Sequence, residues 1–259
     1  MTNDMTSDKT PVIEVTGLNK NFAHVVAATD INMAARRGER IGLIGSNGAG
    51  KTTFVNMVTG YIAPSGGTIR IRGRDITGLP PRAIAASGVC RSFQIPQLFP
   101  TLSAEENLIV AIGVARGETM SSALAQRSPF RAELDDILAR FDLGASRHRL
   151  ASELSSGSRK LLDVAMALAR KPVLFLLDEP TSGVATDQKF PLMDIVMNAV
   201  DPDVTIMFVE HDMDIVERYA QRVLAFYEGK VLADGPPAEV FAHPVVRKNI
   251  VGLKDAAPC

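Results

Sequence analysis

The stretch GSNGAGKT, Gly45 to Thr52, sets glycines at 45, 48 and 50 directly before a lysine and a threonine. It fits G-x-x-x-x-G-K-[ST], in which glycines let the backbone curl until its N–H groups point at phosphate oxygens. The candidate phosphate-binding residues are Gly45, Ser46, Asn47, Gly48, Ala49, Gly50, Lys51, Thr52 and Thr53. Lys51 would reach the β and γ phosphates, and Thr52 would offer its hydroxyl to Mg²⁺. Further along, LLDEP carries Asp178 and Glu179. Alone these are two acids at a strand end, but ligands of open parallel sheets sit beyond the carboxyl ends of the strands, where a phosphate loop also lies. There Asp178 is placed to hold Mg²⁺ through water and Glu179 to polarise a water. SFQ and FVEHD bring Gln94 and His211 to the same edge. Three strand ends converging on one phosphate loop favour a working histidine over a structural one.

The elements that must position these groups are legible as short apolar runs. IGLIG from Ile41, GVCRSF around Val89, VLFLL from Val173 and VTIMFV from Val204 are apolar on both alternating faces. Such strands belong to a buried parallel sheet covered by helices on each side. VIEVTGLNKNF (Val12 to Phe22) alternates like a half-buried strand, and PSGGTIRIRG reads as a turn and strand. RVLAFYEGKVLADG reads as a hairpin turning at Glu228, Gly229 and Lys230, with a short helix from Pro237. From about residue 103 to 170 the chain is helix-like, with breaks at GETMSS, SPF and DLGAS. Ser103 and Glu106 open this helical insertion as a capping box. Residues 1–10 are expected to be a disordered tail without the apolar run of a signal peptide, 11–250 the folded domain, and 251–259 a second tail.

One stretch fits none of these roles. ELSSGSRK, Glu153 to Lys160, offers serines and a glycine before a helical run, with no lysine where a phosphate loop needs one. The phosphate loop, Gln94, LSSGS, LLDEP, TSGVA (Thr181 to Ala185) and His211 follow one another as in the ATP-binding subunits of ABC transporters, which nearly the whole chain resembles. The resemblance implies an α/β P-loop NTPase fold of the ABC ATPase type, with a RecA-like core, an antiparallel β subdomain and an inserted helical subdomain. Its cofactors would be ATP and Mg²⁺. It further implies that Phe22 stacks on adenine, Gln94 senses metal and γ-phosphate, Glu179 activates the attacking water, and His211 contacts the γ-phosphate. For Phe22 the bland alternative is a core aromatic. It also explains the missing lysine: LSSGS completes the site of an opposing subunit, so two chains sandwich two nucleotides head to tail. Ser155 and Gly157 would then donate to the γ-phosphate, aided by a helix starting near Arg159.

Within the family the chain is similar to the ATPases of branched-chain amino-acid type importers. The stretches carrying that likeness are GLIGSNGAGKTTFVNMVTGY, RSFQIPQLFPTLSAEENL and VEHDMDIVERYAQRVLAFYEGKVLADGPPAEV. It implies a peripheral subunit on the cytoplasmic face of the inner membrane, working with transmembrane permease subunits, a second ATPase subunit and, indirectly, a solute-binding protein. Cargo in that group extends to urea, amides and aromatic acids, because the ATPase never touches it. Leu98 and Phe99, in a proline-flanked loop, are candidates for a groove that takes a permease helix. Two positions depart from the family pattern. Ser158 stands where glutamine is common, and Ala185 where aspartate or asparagine is common, so a non-identical partner is expected to supply the stronger signature loop. The alternatives are a lipopolysaccharide-export ATPase and, from another class, an ATPase of DNA repair or translation.

Composition narrows these alternatives. With 28 basic and 29 acidic side chains the 259-residue chain carries no overall basic footprint, so nucleic acid is not an expected partner. Cys90 and Cys259 stand in no metal or CxxC spacing. No apolar run reaches the length of a membrane span.

Overall fold

The computed structural model describes residues 10–121 and 130–252. The tails expected at the two ends therefore fall mainly outside the described residues, as do Cys259 and most of the SPF break.

The apolar runs form one six-stranded sheet in the order β10-β9-β3-β8-β7-β6. Its strands are β3 (Arg40–Gly45), β6 (Val89–Ser92), β7 (Leu174–Asp178), β8 (Thr205–Val209), β9 (Arg222–Tyr227) and β10 (Lys230–Gly235). Pairing is parallel from β6 through β9, and the β9–β10 hairpin adds an antiparallel edge. Every residue of β8 is buried, which is why its sequence shows no polar face.

A second, four-stranded antiparallel sheet runs β2-β1-β4-β5, from β1 (Ile13–Phe22), β2 (Val25–Ala35), β4 (Gly66–Ile71) and β5 (Arg74–Asp75). The 11-residue β2 escapes the sequence patterns. Its partner register slips three times between Val15 and Asn21, and Asp30 adopts a left-handed φ of 47°. Bulges of this kind break the two-residue period on which strand recognition rests.

α1 (Lys51–Val58) follows the phosphate loop, and α2 (Pro81–Ala86) precedes β6. Between β6 and β7 come α3 (Ala104–Ala115), α4 (Arg131–Arg140) and α5 (Ser156–Leu168). The capping box forms as expected: Ser103 Oγ accepts from Glu106 N at 3.2 Å, and Glu106 Oε2 accepts from Ser103 N at 2.9 Å. α6 (Thr186–Ala199), α7 (Met213–Tyr219) and α8 (Pro237–Ala242) complete the set that concerns the site. Two cores sandwich the central sheet. One joins it to the helical insertion through Phe130, Phe141, Leu162, Phe175 and Phe208. The other joins it to α1 and the small sheet through Phe54, Met207, Leu176 and Phe226. Among the described residues no helix is long and apolar enough to cross a membrane.

Candidate active site

The phosphate loop turns from β3 into α1 by backbone geometry that a side chain would block. Gly45 has φ 153°, and a Cβ there would lie 2.5 Å from the Phe226 carbonyl oxygen. Gly50 caps α1 at φ 106°, where a Cβ would lie 2.8 Å from the Ala27 carbonyl oxygen. Lys51 folds back across the loop, its Nζ donating to the carbonyls of Gly45 at 2.6 Å and Ser46 at 3.2 Å. Burial lowers its pKa, opposed by the charges of Glu179 and Asp178. Ser46, Asn47, Gly48 and Thr52 remain exposed and Ala49 is buried, while Thr53 is half-buried.

At the ends of the neighbouring strands the expected groups meet on one carboxylate. Glu179 Oε2 accepts from Gln94 Nε2 at 2.7 Å, and Glu179 Oε1 lies 3.1 Å from His211 Nε2. Glu179 takes a left-handed φ of 48°, held by its N–H donating to Val209 O at 3.1 Å and its carbonyl accepting from Lys160 Nζ at 2.8 Å. His211 is aimed by Glu210, a buried residue without an assigned role in the sequence. Glu210 Oε2 accepts from His211 N at 3.1 Å, and Oε1 accepts from Thr181 N at 3.0 Å and Thr181 Oγ1 at 2.7 Å.

Asp178 stands beside this group, in an ion pair with Arg91 of β6. Arg91 also donates to Asn56 Oδ1 at 2.7 Å, and its guanidinium carbon lies 5.1 Å from the Phe93 ring centroid and 5.9 Å from that of Tyr61. Sequence reasoning missed Arg91; an arginine inside an otherwise apolar strand was the available signal. The donors suit a magnesium triphosphate: a hydroxyl at Thr52, a carboxylate at Asp178 and the amide of Gln94. Among the described residues no group of three His, Cys, Asp or Glu side chains could hold an ion. The remaining ligands would thus be phosphate and water, the company Mg²⁺ prefers.

Phe22 ends β1 with its ring 44% exposed and the Lys20 ammonium 4.9 Å from its centroid. It is therefore no core aromatic.

The LSSGS segment differs from expectation in one respect. α5 begins at Ser156, not near Arg159, so Gly157 and Ser158 lie in its first turn. Ser155 is the N-cap: its Oγ accepts from Ser158 N at 3.1 Å and donates to Ser158 Oγ at 2.9 Å. Ser155 and Ser156 are exposed. The Ser155 and Ser156 side chains bond to Ser158 and Gly183, and among the described residues neither bonds to the chain's own phosphate loop.

A phosphate loop, a shared carboxylate and an outward-facing serine-glycine helix start together define a nucleotide-hydrolysing cassette. Residues 28–182 match the ABC transporter family, and the chain belongs to it as an ATP-binding ATPase subunit. It is 32% identical over 93% of its length to the high-affinity branched-chain amino acid transport ATP-binding protein BraF of Pseudomonas aeruginosa, covering 98% of that protein. It is 30% identical to the lipopolysaccharide export system ATP-binding protein LptB of Acidithiobacillus ferridurans, over 93% of this chain and 97% of that one. Among solved structures it superposes on MJ1267, an ATP-binding cassette of an ABC transporter, with a TM-score of 0.81 and 27% identity, covering 92% of this chain and 98% of that one.

Proposed function

We propose that this chain is one of two ATPase subunits driving an importer of branched-chain amino acids or of similar small amides and acids. It would sit on the cytoplasmic face of the membrane, bound to permease subunits served by a solute-binding protein. The observation that carries the hydrolytic reading is the meeting of Gln94 and His211 on Glu179. The resemblance to BraF supports the cargo class.

In this reading Phe22 stacks on the base, and residues 45–53 wrap the phosphates. Lys51 leaves the carbonyls of Gly45 and Ser46 for the β and γ phosphate oxygens. Thr52, Asp178 and Gln94 would hold Mg²⁺, which when bound supplies positive charge to the phosphate oxygens. Asp178 must then be shared with, or released by, Arg91. Gln94 and His211 turn from Glu179 toward the nucleotide, and the freed carboxylate orients water and accepts its proton. Ser155 and Gly157 act in the opposing subunit's site. Ser158 and Ala185 are weak in that role, which favours a non-identical partner.

The permease contact is assigned to the loop after Gln94. Ile95 is 74% exposed and Phe99 39%, beside a cleft of about 330 Å³ lined on one side by Ile95, Pro96, Leu98 and Pro100 and on the other by polar residues such as Arg159 and Lys160. Leu98 itself packs partly on the core.

Co-purification of the tagged chain from its native host membranes, with mass spectrometry of what it captures, tests the proposal. Two permeases and a different ATPase are the expected result. Capture of ribosomes or repair proteins without a membrane subunit would overturn it. The likeness to LptB supports a second reading, lipopolysaccharide export, which capture of an export permease would select.

A further inference from the structure

Ser156, Lys160 and Asp163 recur along α5 at the i, i+4, i+7 spacing that places them on one helix face. A face covered by neighbouring elements is ordinarily apolar. Here the polar groups reach two loops of the chain's own site, those that carry Glu179 and Gln94, and Lys160 reaches both. Ser156 Oγ donates at 3.0 Å to the carbonyl of Gly183, in the loop that follows Glu179. Lys160 Nζ donates at 2.8 Å to the carbonyl of Glu179 and at 3.3 Å to that of Gln94. Asp163 accepts from Gln97 N at 2.8 Å and from Phe93 N at 3.2 Å.

Lys160 and Asp163 are only 6% and 7% exposed. Burying such charges is costly unless every bond is made, and well-packed apolar residues would often stabilise a fold equally well. Desolvation lowers the pKa of Lys160, opposed by Glu210, Glu179, Asp163 and Asp178, and raises that of Asp163. The left-handed backbone of Glu179 is a conformation that a glutamate keeps only where its surroundings impose it. Lys160 is one of three groups bonded to that backbone, with Val209 O on the N–H side and Ser182 N sharing the carbonyl, and it is the one that comes from α5.

We propose that Lys160 is a positioning residue, tying the backbones of Gln94 and Glu179 to the helix whose first turn reads the opposing subunit's nucleotide. Engagement of Ser155 and Gly157 across the interface thereby sets the placement of Glu179 in the chain's own site. The link to the partner rests on the head-to-tail reading above.

The test compares wild type, Lys160→Met and Lys160→Arg. Turnover and KM for ATP are measured in the assembled complex, and amide exchange in the nucleotide-free chain. Lys160→Met should lower kcat by about 10- to 100-fold, the scale of a small misplacement at a reacting centre. KM should stay within about twofold, because the phosphate loop is untouched. Exchange should quicken over residues 93–97 and 179–183 but not in β3 or β8, and Lys160→Arg should restore most of both effects. Unchanged turnover in Lys160→Met, faster exchange throughout the central sheet, or an arginine variant as impaired as the methionine would each overturn the proposal. If ATP fails to pair the wild-type ATPase subunits, the head-to-tail reading and the cross-interface link fall together. Wild-type pairing with an indifferent Lys160→Met defeats the proposal alone.

Discussion

Glu179 concentrates the chemistry at the scale of single residues, because Gln94 and His211 both spend their polar ends on it. Replacing it with glutamine keeps its size and one acceptor, which can take the Gln94 bond, and turns the other oxygen into an NH2 that can meet His211 Nε2 only as a donor, while the proton acceptor is lost. Glu179→Gln should bind Mg-ATP at near wild-type affinity, trap the closed pair, and lower turnover by about 10²- to 10⁴-fold, the usual contribution of a general base. Equilibrium binding and single-turnover hydrolysis check the two halves. Lys51, Asp178, Gln94 and His211 were legible because a short motif or a strand end fixes where such side chains go. Arg91, Lys160 and Asp163 were not. A charged residue at helical spacing usually marks a solvated face, and only the packed structure shows that this face of α5 is covered.

At the scale of elements, the apolar runs predicted the parallel sheet because burial on both faces leaves no polar alternation to misread. β2 was missed because its bulges and the left-handed Asp30 destroy that alternation. The start of α5 was placed three residues late, since serine and glycine are poor interior helix formers and look like loop. They serve instead as cap and first turn, with Ser155 holding Ser158 N. In the isolated chain Ser155→Ala should cost about 1 kcal/mol of stability, and Ser155→Gly only a few tenths. Urea denaturation of both variants checks this, and no loss in Ser155→Ala would mean that the hydroxyl contributes nothing as a cap.

At the scale of the whole molecule, two cores on opposite faces of one sheet hold the phosphate loop on one side and the LSSGS helix on the other. In the proposed head-to-tail pair, a chain so built would present two half-sites that face different neighbours. In the proposed importer its outer surface would also receive the membrane partner, and the exposed Phe99 sits where that contact is proposed. Phe99→Asp should leave nucleotide binding intact and abolish co-purification of the permease. Retained association would move the contact elsewhere. The sequence could point to this loop but could not tell Leu98, which packs inward, from Phe99, which does not.

The ion pair between Arg91 and Asp178 has a further consequence. The carboxylate expected to meet the metal already has a buried countercharge, so Asp178 is not an unbalanced anion waiting for a cation. Chelation with EDTA should leave the melting temperature of the nucleotide-free chain unchanged, whereas added Mg-ATP should raise it by mass action. Architecture and fuelling would thereby be separated: each cassette would keep its fold when the fuel runs out, and only the pairing of the two would depend on it.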